Sequence, residues 1–351
     1  MASKITASFG PYVAWADPAG KWPDIVFSTR VRLARNLAGS AFPRHAQPGI
    51  RCRVRDAALK AARATRLFAR GHFLKTAALS QAEKNFLIER HHISHNLVSG
   101  ERAGAVVVNG DESLSVMINE DDHLRLQSVF AGFSIESAFD KVNKLDDELG
   151  RLLPYAFSGQ FGFLTACPVN AGTGMRVSCL VHLPALCRSG QMPKLLESLS
   201  RLGVTARGVY GEGTCVLGDF YQLSNAACLG RSEAELCAGL ARTIANLIRL
   251  ETAAREELAS APLKLKTEDG VFRAYGLLKN ARAISYGEFM QNVSLVRMGV
   301  AMGYPIRADL GALNQLTLLT QPAHLEAMAG RALKPEERGA ARAEYVRKNL
   351  P

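Results

Sequence analysis

Residues 103–119 constrain the fold of this chain most strongly. An apolar AVVV run at 105–108 leads into NGD at 109–111, and apolar residues then alternate at Leu114, Val116 and Ile118. A turn of this composition between β-branched runs is a strong short-range signal of a β-hairpin. The chain therefore contains antiparallel strands, and the acidic residues 120–122 emerge at the end of one of them.

A breaker-rich stretch at 259–270 separates a region of mixed strand and helix patterns from a region of helical patterns alone. Residues 161–166 and 177–183 read as strands around a glycine-bearing loop, and 205–211 and 219–224 read as further strands. Helices are predicted from about Ser134, over 193–202, and from the capping box Ser232-x-x-Glu235 to about Leu258. Only helical patterns follow, including a second capping box at Ser285-x-x-Glu288. We predict an α/β fold (α+β), with an antiparallel sheet flanked by helices over 24–258 and a C-terminal all-helical domain over 263–351.

The charge balance favours an anionic partner. Forty-three Lys and Arg residues against 32 Asp and Glu residues give a net charge of +11, which suits a nucleotide, a nucleic acid or an acidic protein surface. The basic stretch from Arg51 to Arg70 is either a nucleic-acid patch or the solvated face of an amphipathic helix, and its apolar spacing favours the helix. A role in binding nucleic acid directly is not expected.

Cysteine usage and hydropathy indicate a cytoplasmic location. The seven cysteines form an odd set without a C-x-x-C pair, and no apolar signal segment opens the chain. No apolar stretch approaches the roughly 20 residues that span a bilayer, so no membrane association is expected.

Five arginines occupy short polar or glycine-bearing segments between strand-like runs, and two of those segments also carry carboxylates. Arginine keeps its charge and binds phosphate oxygens with two donors at once, so the pattern suggests phosphoryl transfer. The phosphate-binding loop G-x-x-x-x-G-K-[ST] and the protein-kinase motifs are both absent. Each arginine alone would also suit a surface or salt-bridge role, and spacing cannot show that they converge. They are Arg30, Arg32, Arg125, Arg176 and Arg207.

The other candidate residues each have a competing structural interpretation. The acidic run 120–122 is a solvated turn, a metal site or a general base. Glu212 lies between glycines, where the backbone can approach a ligand closely. Cys167 precedes Pro168 and is either a buried apolar thiol or an active-site residue. His91 and His95 have the spacing of a helical metal pair, but the Glu of H-E-x-x-H is missing.

Four segments together resemble the ATP:guanido phosphotransferases, the family of creatine and arginine kinases. They are STRVRLARNL at 28–37, NEDDHLR at 119–125, LTACPVNAGTG at 164–174 and RGVYGEG at 207–213. Only 27 residues precede Ser28, where metabolite kinases of the family have a helical domain, and a helical extension follows the region instead. In this arrangement the chain most closely resembles the bacterial protein-arginine kinases.

The resemblance implies a role for each matching residue. The five arginines would bind the nucleotide phosphates and act in catalysis, His91 would lie against the adenine, and Asp121 would be the catalytic base. Glu212 would orient the guanidinium, and Cys167 would lie near the guanidino nitrogen. The implied nucleotide-binding residues are Ser28, Thr29, Arg30, Val31, Arg32, His91, Arg125, Arg176, Val177, Ser178, Cys179, Leu180, Arg207, Gly208, Val209, Tyr210, Gly211 and Glu212.

The implied reaction moves the γ-phosphoryl group of Mg-ATP to an arginine side chain of a protein. Mg²⁺ would bridge phosphate oxygens with mostly water as its other ligands, in keeping with the lack of a dedicated metal motif. The resemblance also implies a homodimer, and partners in protein quality control and the stress response: a Clp-type ATPase and protease, a zinc-binding activator and a heat-shock repressor. The alternatives are a small-molecule guanidino kinase and a weakly active or inactive adaptor that binds phosphoarginine.

Two positions depart from the family pattern. Asp121 stands where the family has Glu, which shortens the base by one methylene group. The family's phosphoarginine-binding motif R-D-x-x-R-A reads RGAARA at 338–343, so Arg338 and Arg342 are present without the acid. We therefore expect kinase activity that is weaker than the family's, and a regulatory phosphoarginine pocket that lacks one of its polar groups.

Overall fold

The computed structural model describes residues 8–99, 103–208 and 216–350. It has the predicted α/β fold, an antiparallel sheet flanked by helices with a helical region at the C-terminus. The strands in these ranges are β1 Val26–Arg35, β2 His72–Lys75, β3 Ala105–Val108, β4 Leu114–Ile118, β5 Leu124–Ala131, β6 Phe157–Ser158, β7 Gly162–Phe163, β8 Met175–His182, β9 Val204–Arg207 and β10 Phe220–Asn225.

The helices lie on both sides of the sheet and make up the C-terminal region. They are α1 Pro48–Ala64, α2 Gln81–Glu89, α3 His95–Val98, α4 Ile135–Gly150, α5 Pro184–Arg188, α6 Met192–Arg201, α7 Glu233–Ala259, α8 Lys264–Asn280, α9 Tyr286–Ala301, α10 Leu310–Leu319, α11 Pro322–Ala329 and α12 Pro335–Asn349. No described helix has the length and apolar character needed to cross a membrane.

Eight strands form one sheet in the order β2-β3-β4-β5-β1-β8-β10-β9, and every neighbouring pair is antiparallel. The long strand β1 lies near the centre, between β5 and β8. Its alternate residues Val31 and Leu33 are buried in a core that α4 and α7 cover with Val142, Leu145 and Ile244. Burying one such side chain contributes about 1.5–3 kcal/mol, which fixes the sheet face that points inward.

Several elements predicted from the sequence are confirmed. β3 and β4 form the hairpin, and α4 begins after Ser134. Ser232 and Glu235 make both bonds of a capping box at the start of α7. At α9, Ser285 accepts a hydrogen bond from the Glu288 amide. The basic stretch after Arg51 is helical as far as Ala64.

The strand predicted over 161–166 is wrong beyond its first residues. Only Gly162–Phe163 pair, in a short hairpin with β6, and Gly162 has a φ of 70°. A Cβ on Gly162 would lie 2.5 Å from the Gly172 carbonyl oxygen, so the two backbones touch there. The Leu164 amide still bonds to the Ala156 carbonyl at 3.0 Å, but the Ala166 amide bonds to Asp122 of the acidic turn at 2.6 Å, so the strand does not continue. In the strand predicted over 205–211, Val204–Arg207 is a strand and 209–215 lie outside the described residues.

The C-terminal helices pack directly against one end of the central strands. Their apolar core includes Phe27 of β1 and Phe220 of β10, together with Phe289 and Val293 of α9. α7 ends at Ala259 and α8 begins at Lys264, with a turn between them. Residues from before and after this turn share the same apolar clusters. The division into domains at 24–258 and 263–351 therefore stays a prediction.

Candidate active site

The register of the sheet brings the five predicted arginines to one face. Arg30 and Arg32 are two residues apart on β1, and Arg32 lies opposite both Arg176 on β8 and Gln127 on β5. Residues at i and i+2 of a strand, and directly opposite residues of antiparallel strands, point to the same side of a sheet. We call this surface the arginine face. It carries Ser28, Arg30, Arg32, Arg125, Gln127, Arg176, Ser178, Leu180, Arg207, Gln222 and Ser224.

Two arginines in the middle of this face have buried donors that the described residues leave without a hydrogen bond. The Nε atoms of Arg30 and Arg32 are buried and have no hydrogen-bond partner among the described residues. Burial, together with the charges of Arg176 and Arg125, lowers the pKa of Arg30 to about 10. Burial and the charge of Arg30 likewise lower the pKa of Arg32 well below its usual value. A polyanion would satisfy these donors and relieve the repulsion, so the residues fit the phosphates of a nucleotide.

Arg176 and Arg125 are held in fixed orientations. Arg176 donates from Nε and Nη2 to Ser224 Oγ at 3.1 and 2.8 Å, and from Nη2 to Thr205 Oγ1 at 3.2 Å. Arg125 donates from Nη1 to Glu120 Oε1 at 2.8 Å, and its Nη2 lies 3.1 Å from Asp121 Oδ2. Hydroxyl groups orient Arg176, whereas Arg125 is paired with carboxylates.

A small cavity at one end of the arginine face is lined by His91, Trp15, Arg30, Ser28 and Leu180, with Val129 and Gln222. The His91 and Trp15 ring centroids are 5.4 Å apart. Burial and the neighbouring charge of Arg30 lower the pKa of His91 to about 3, so the imidazole is neutral at physiological pH. Such a ring presents an uncharged flat surface to an aromatic base. The position of His91 against an adenine stays a prediction.

His91 and His95, which have the spacing of a helical metal pair, do not lie on one helix. His91 sits in a turn with a φ of 61°, and His95 begins the next short helix, α3. The helical period that relates i to i+4 does not connect them. Nowhere in residues 8–99, 103–208 or 216–350 do three or more His, Cys, Asp or Glu residues form a group that could hold a metal ion.

The acidic turn after β4 is mostly buried, which rules out a solvated turn. Glu120 is 0% exposed and Asp122 is 1% exposed, whereas 39% of the Asp121 side chain is exposed. Glu120 accepts hydrogen bonds from Arg125 and, at 2.5 Å, from Ser94 Oγ. Its Oε2 also accepts from the Asp121 amide at 2.9 Å. Asp121 is therefore the carboxylate of the turn that a substrate can reach. Its contacts with Glu120 and Arg125 fix its position.

Asp122 joins the acidic turn to the loop that carries Cys167. Its Oδ1 accepts from the Ala166 amide and from Asn36 Nδ2, both at 2.6 Å, and Asn36 in turn accepts from the His123 amide. Burial raises the pKa of Asp122. Cys167, one residue beyond Ala166, is exposed, so it is not a buried apolar thiol. The sequence offered no signal for this link, since Asn36 and Ala166 are distant along the chain.

Some of the implied nucleotide-binding residues point away from the arginine face. Thr29 and Cys179 are 0% exposed, and Thr29 Oγ1 donates to the Gly132 carbonyl at 2.6 Å. Val31 and Val177 belong to the same buried side. These four can offer a nucleotide only backbone atoms. Val209, Tyr210, Gly211 and Glu212 lie outside the described residues, whereas Arg207 and Gly208 end the described part of their segment.

The two arginines of the RGAARA motif differ in their surroundings. Arg342 is 3% exposed and donates from Nε to the Thr320 carbonyl at 2.9 Å and from Nη1 to the Ile284 carbonyl at 2.8 Å. Arg338 is more exposed, and its Nε lies 4.0 Å from Glu326 Oε1. Arg342 thus has a structural function in joining the C-terminal helices. A role for the pair in binding phosphoarginine stays a prediction.

Comparison with known proteins decides the family. Residues 53–254, more than half of the chain, match the ATP:guanido phosphotransferase C-terminal catalytic domain. The chain belongs to the ATP:guanido phosphotransferase family. Residues 264–351 match the C-terminal domain of the protein-arginine kinase McsB. The membership predicted from the four sequence segments is confirmed.

Full-length relatives and solved structures agree with this assignment. The protein-arginine kinase of Geobacillus kaustophilus is 39% identical over 339 residues, which are 96% of this chain and 93% of the relative. That of Pelotomaculum thermopropionicum is 41% identical over 347 residues, 96% of each chain. The crystal structure of lombricine kinase superposes with a TM-score of 0.62 at 25% identity, covering 72% of this chain and 76% of that one. The duplicated taurocyamine kinase from Schistosoma mansoni gives a TM-score of 0.62 at 26% identity, over 72% of this chain and 36% of its own.

Proposed function

We propose that this chain transfers the γ-phosphoryl group of Mg-ATP to arginine side chains of proteins. One observation carries the proposal: the arginine face, with the buried Nε donors of Arg30 and Arg32, ends at the exposed carboxylate of Asp121. The face suits a polyanion, and the carboxylate suits a proton acceptor beside it. Relatives that span nearly the whole chain are protein-arginine kinases, which favours a protein as the acceptor.

In this reaction the arginine face binds and orients the triphosphate. Arg30, Arg32 and Arg176 offset charge on the oxygens of the transferring group, which bears much of the charge in the transition state. Mg²⁺ enters with ATP as part of the substrate. His91 and Trp15 contact the base at the far end of the cavity.

Asp121 acts at the acceptor nitrogen. A guanidinium is a poor nucleophile while protonated, so a proton must leave as the nitrogen–phosphorus bond forms and the bond from phosphorus to the ADP oxygen breaks. Asp121 takes that proton, and its salt bridge with Arg125 at 3.1 Å directs the carboxylate. Cys167, exposed on the adjoining loop, lies beside the acceptor, and Glu212 orients the guanidinium.

The decisive experiment supplies two acceptors in parallel. The purified protein is incubated with Mg-ATP and either casein or free L-arginine, and products are mapped by mass spectrometry under conditions that preserve acid-labile P–N bonds. Phosphoarginine on casein is the expected result. Product on free arginine alone would indicate a small-molecule guanidino kinase, and ATP binding without any product would indicate an adaptor.

Variants at position 121 test the role of the base. Asp121→Asn removes the proton acceptor with little change in shape and is expected to abolish transfer while nucleotide binding persists. Asp121→Glu restores the longer side chain of the family, and a gain in rate is expected because about 1 Å of misplacement can cost on the order of 10²-fold. Equal rates for the wild type and Asp121→Asn would remove Asp121 from the mechanism.

The wider biological setting follows from the family. We propose a cytoplasmic homodimer, with the helical region 263–351 as the dimerising and regulatory domain, acting in the stress response and in protein quality control. Its partners would be a Clp-type ATPase and protease, a zinc-binding activator and a heat-shock repressor. The full-length match to protein-arginine kinases and the C-terminal domain match support this setting. Size-exclusion chromatography with light scattering tests the dimer.

A further inference from the structure

Both walls of the small cavity on the arginine face are tied to the C-terminal helices. One wall is His91, which belongs to a turn that we call the connecting segment, residues 89–94. The other wall is Trp15, in a 3-10 helix at Ala14–Ala16. Neither residue lies in the C-terminal helices. His91 comes two residues after Glu89 and Trp15 two residues after Val13, and the C-terminal helices bind both Glu89 and Val13.

The first tie joins the connecting segment to α11. Glu89 accepts from the backbone amides of Ala323 and His324 at 2.8 and 3.1 Å, so it caps the start of that helix. Its Oε2 also lies 2.7 Å from His324 Nδ1. Arg90 Nε lies 3.3 Å from His324 Nε2, and because Arg can only donate, His324 accepts there and donates from Nδ1 to Glu89. Glu89, Arg90 and His324 are all buried.

The connecting segment also contacts the site, so its attachment to α11 affects the position of site residues. His91 adopts a left-handed conformation, which a non-glycine residue keeps only when its neighbours hold it. Gln127 of the arginine face donates to the His91 carbonyl at 2.8 Å, and Ser94 donates to Glu120 in the acidic turn. One short turn thus contacts α11 at its start, the cavity in its middle and the acidic turn at its end.

The second tie joins the Trp15 wall to α10. The Gln315 side chain forms a pair of hydrogen bonds with the backbone of Val13: its Oε1 accepts from the Val13 amide at 3.2 Å, and its Nε2 donates to the Val13 carbonyl at 2.9 Å. Val13 is the residue directly before the 3-10 helix, and both Val13 and Trp15 are buried against the C-terminal core. This bidentate contact is independent of the one at Glu89.

We propose that the C-terminal helices set the affinity of the site for the nucleotide, with His324 and Gln315 as positioning residues for the two walls of the base-binding cavity. The inference rests on the proposed function, because it assigns the cavity to the base of ATP. His324 and Gln315 act through Glu89 and Val13 and touch no substrate. Loss of either tie displaces one wall from its position, so the base binds less tightly while the phosphate-binding arginines and Asp121 keep their places.

The test measures ATP binding by titration calorimetry and the kinetic constants with casein for His324→Ala and Gln315→Ala, in the full-length chain. Each variant is expected to weaken ATP binding roughly fivefold or more, the lower range of coupling between sites. The KM for ATP should rise in parallel, and kcat should stay within about twofold because the transition-state contacts are unchanged. Lys279→Met is the matched control, since it removes one hydrogen bond within the C-terminal helices, to the Leu350 carbonyl at 3.0 Å.

A spectroscopic signal separates positioning from general destabilisation. The chain has two tryptophans, so Trp22→Phe leaves Trp15 as the single reporter. In that background ADP should change the Trp15 fluorescence, and His324→Ala and Gln315→Ala should shift the midpoint to higher ADP concentration while the Lys279→Met variant does not. Unchanged nucleotide affinity in both variants, or an equal loss in the Lys279→Met control, would overturn the inference. A wild-type chain that binds no ATP would instead overturn the proposed function on which it rests.

Discussion

Arg32 and Arg297 are both arginines with buried guanidinium nitrogens, but they differ in what surrounds their donors. Arg297 of α9 donates to Asn314 Oδ1 at 2.9 Å and to the backbone carbonyls of Asp24 and Pro23. His182 Nδ1 lies 2.8 Å from its Nη1. The Nε of Arg32, by contrast, is buried without a partner among the described residues. One arginine is fully used by the fold, and the other keeps a buried donor that the described fold does not use.

The pKa does not distinguish the two kinds of site. Burial lowers the pKa of Arg297 to about 9 and that of Arg30, beside Arg32, to about 10. The difference lies in the surroundings, since carbonyl groups accept hydrogen bonds from Arg297, whereas other arginines crowd Arg32 with Glu120 as an opposing charge. Buried cations crowded in this way are costly to the fold, and such strain is expected where a ligand completes the structure.

Replacing Arg297 tests the structural half of this comparison and should have the largest effect. Arg297→Ala leaves several buried acceptors without a donor, so a loss of about 3–5 kcal/mol in the free energy of unfolding is expected. Urea denaturation followed by circular dichroism measures it. A variant as stable as the wild type would show that these bonds do not hold α9 to the sheet.

Replacing Arg32 tests the functional half. Arg32→Ala should lower kcat/KM for ATP by about 10²–10³-fold, the typical loss when one charge-stabilising donor is removed from a transition state. Its stability should be equal to or higher than that of the wild type, because one of the crowded cations is gone. Arg32→Lys is the control that keeps the charge without the planar fork. A marked loss of stability in Arg32→Ala would place this residue with Arg297.

The pH dependence of stability sharpens the description of the cavity. The pKa of His91 is about 3 in the folded state, against about 6.5 for a free histidine. The unfolded chain therefore binds a proton first as the pH falls below 6.5, and this group destabilises the fold by about 1.4 kcal/mol per pH unit down to pH 3. Asparagine tolerates the left-handed backbone, so His91→Asn is the suitable variant. Between pH 7.5 and 5.5 its free energy of unfolding should fall by about 1.4 kcal/mol less than that of the wild type.

Denaturant unfolding of both proteins at the two pH values measures this difference. The wild-type protein and the variant share the contribution of His182, whose pKa burial lowers well below its usual value, so some pH dependence should remain. Identical pH profiles would mean that His91 is protonated freely in the fold and does not face the charge of Arg30.

The smallest effect is expected at Ser224, which orients Arg176. Ser224→Ala removes two of the hydrogen bonds that Arg176 makes with hydroxyl groups and leaves the one to Thr205. A roughly tenfold loss of kcat/KM, equivalent to about 1.4 kcal/mol, is expected with little change in stability. Steady-state kinetics with varied ATP measures it. No change in rate would indicate that the strand alone orients Arg176.

Local patterns predicted much of the fold. The β3–β4 hairpin, the start of α4 after Ser134 and the capping box of α7 all depend on residues within a few positions of one another. Predictions failed where a distant residue competes for a backbone group: the strand expected over 161–166 is interrupted because Asp122 accepts from the Ala166 amide. The turn at His91 was missed because its left-handed backbone is imposed by contacts with other elements.

The candidate site shows the same division. Motif order identified the family and the five arginines before any geometry was available, and the family is confirmed. Trp15, Gln127 and Gln222 were not foreseen, because each lies outside the motif segments and reaches the site through pairing or packing. Asp122 was grouped with its acidic neighbours, although it links two loops.

By itself the sequence determined which residues alternate along each strand, where helices begin, and which family motifs are present, since these are properties of neighbouring residues. Only the tertiary structure decided that Arg32 lies opposite Arg176, that Arg297 is surrounded by carbonyl groups, and that the walls of the cavity are tied to the C-terminal helices. The physical reason is that strand register and helix packing are set by the burial of apolar surface across the whole chain, which no local segment encodes.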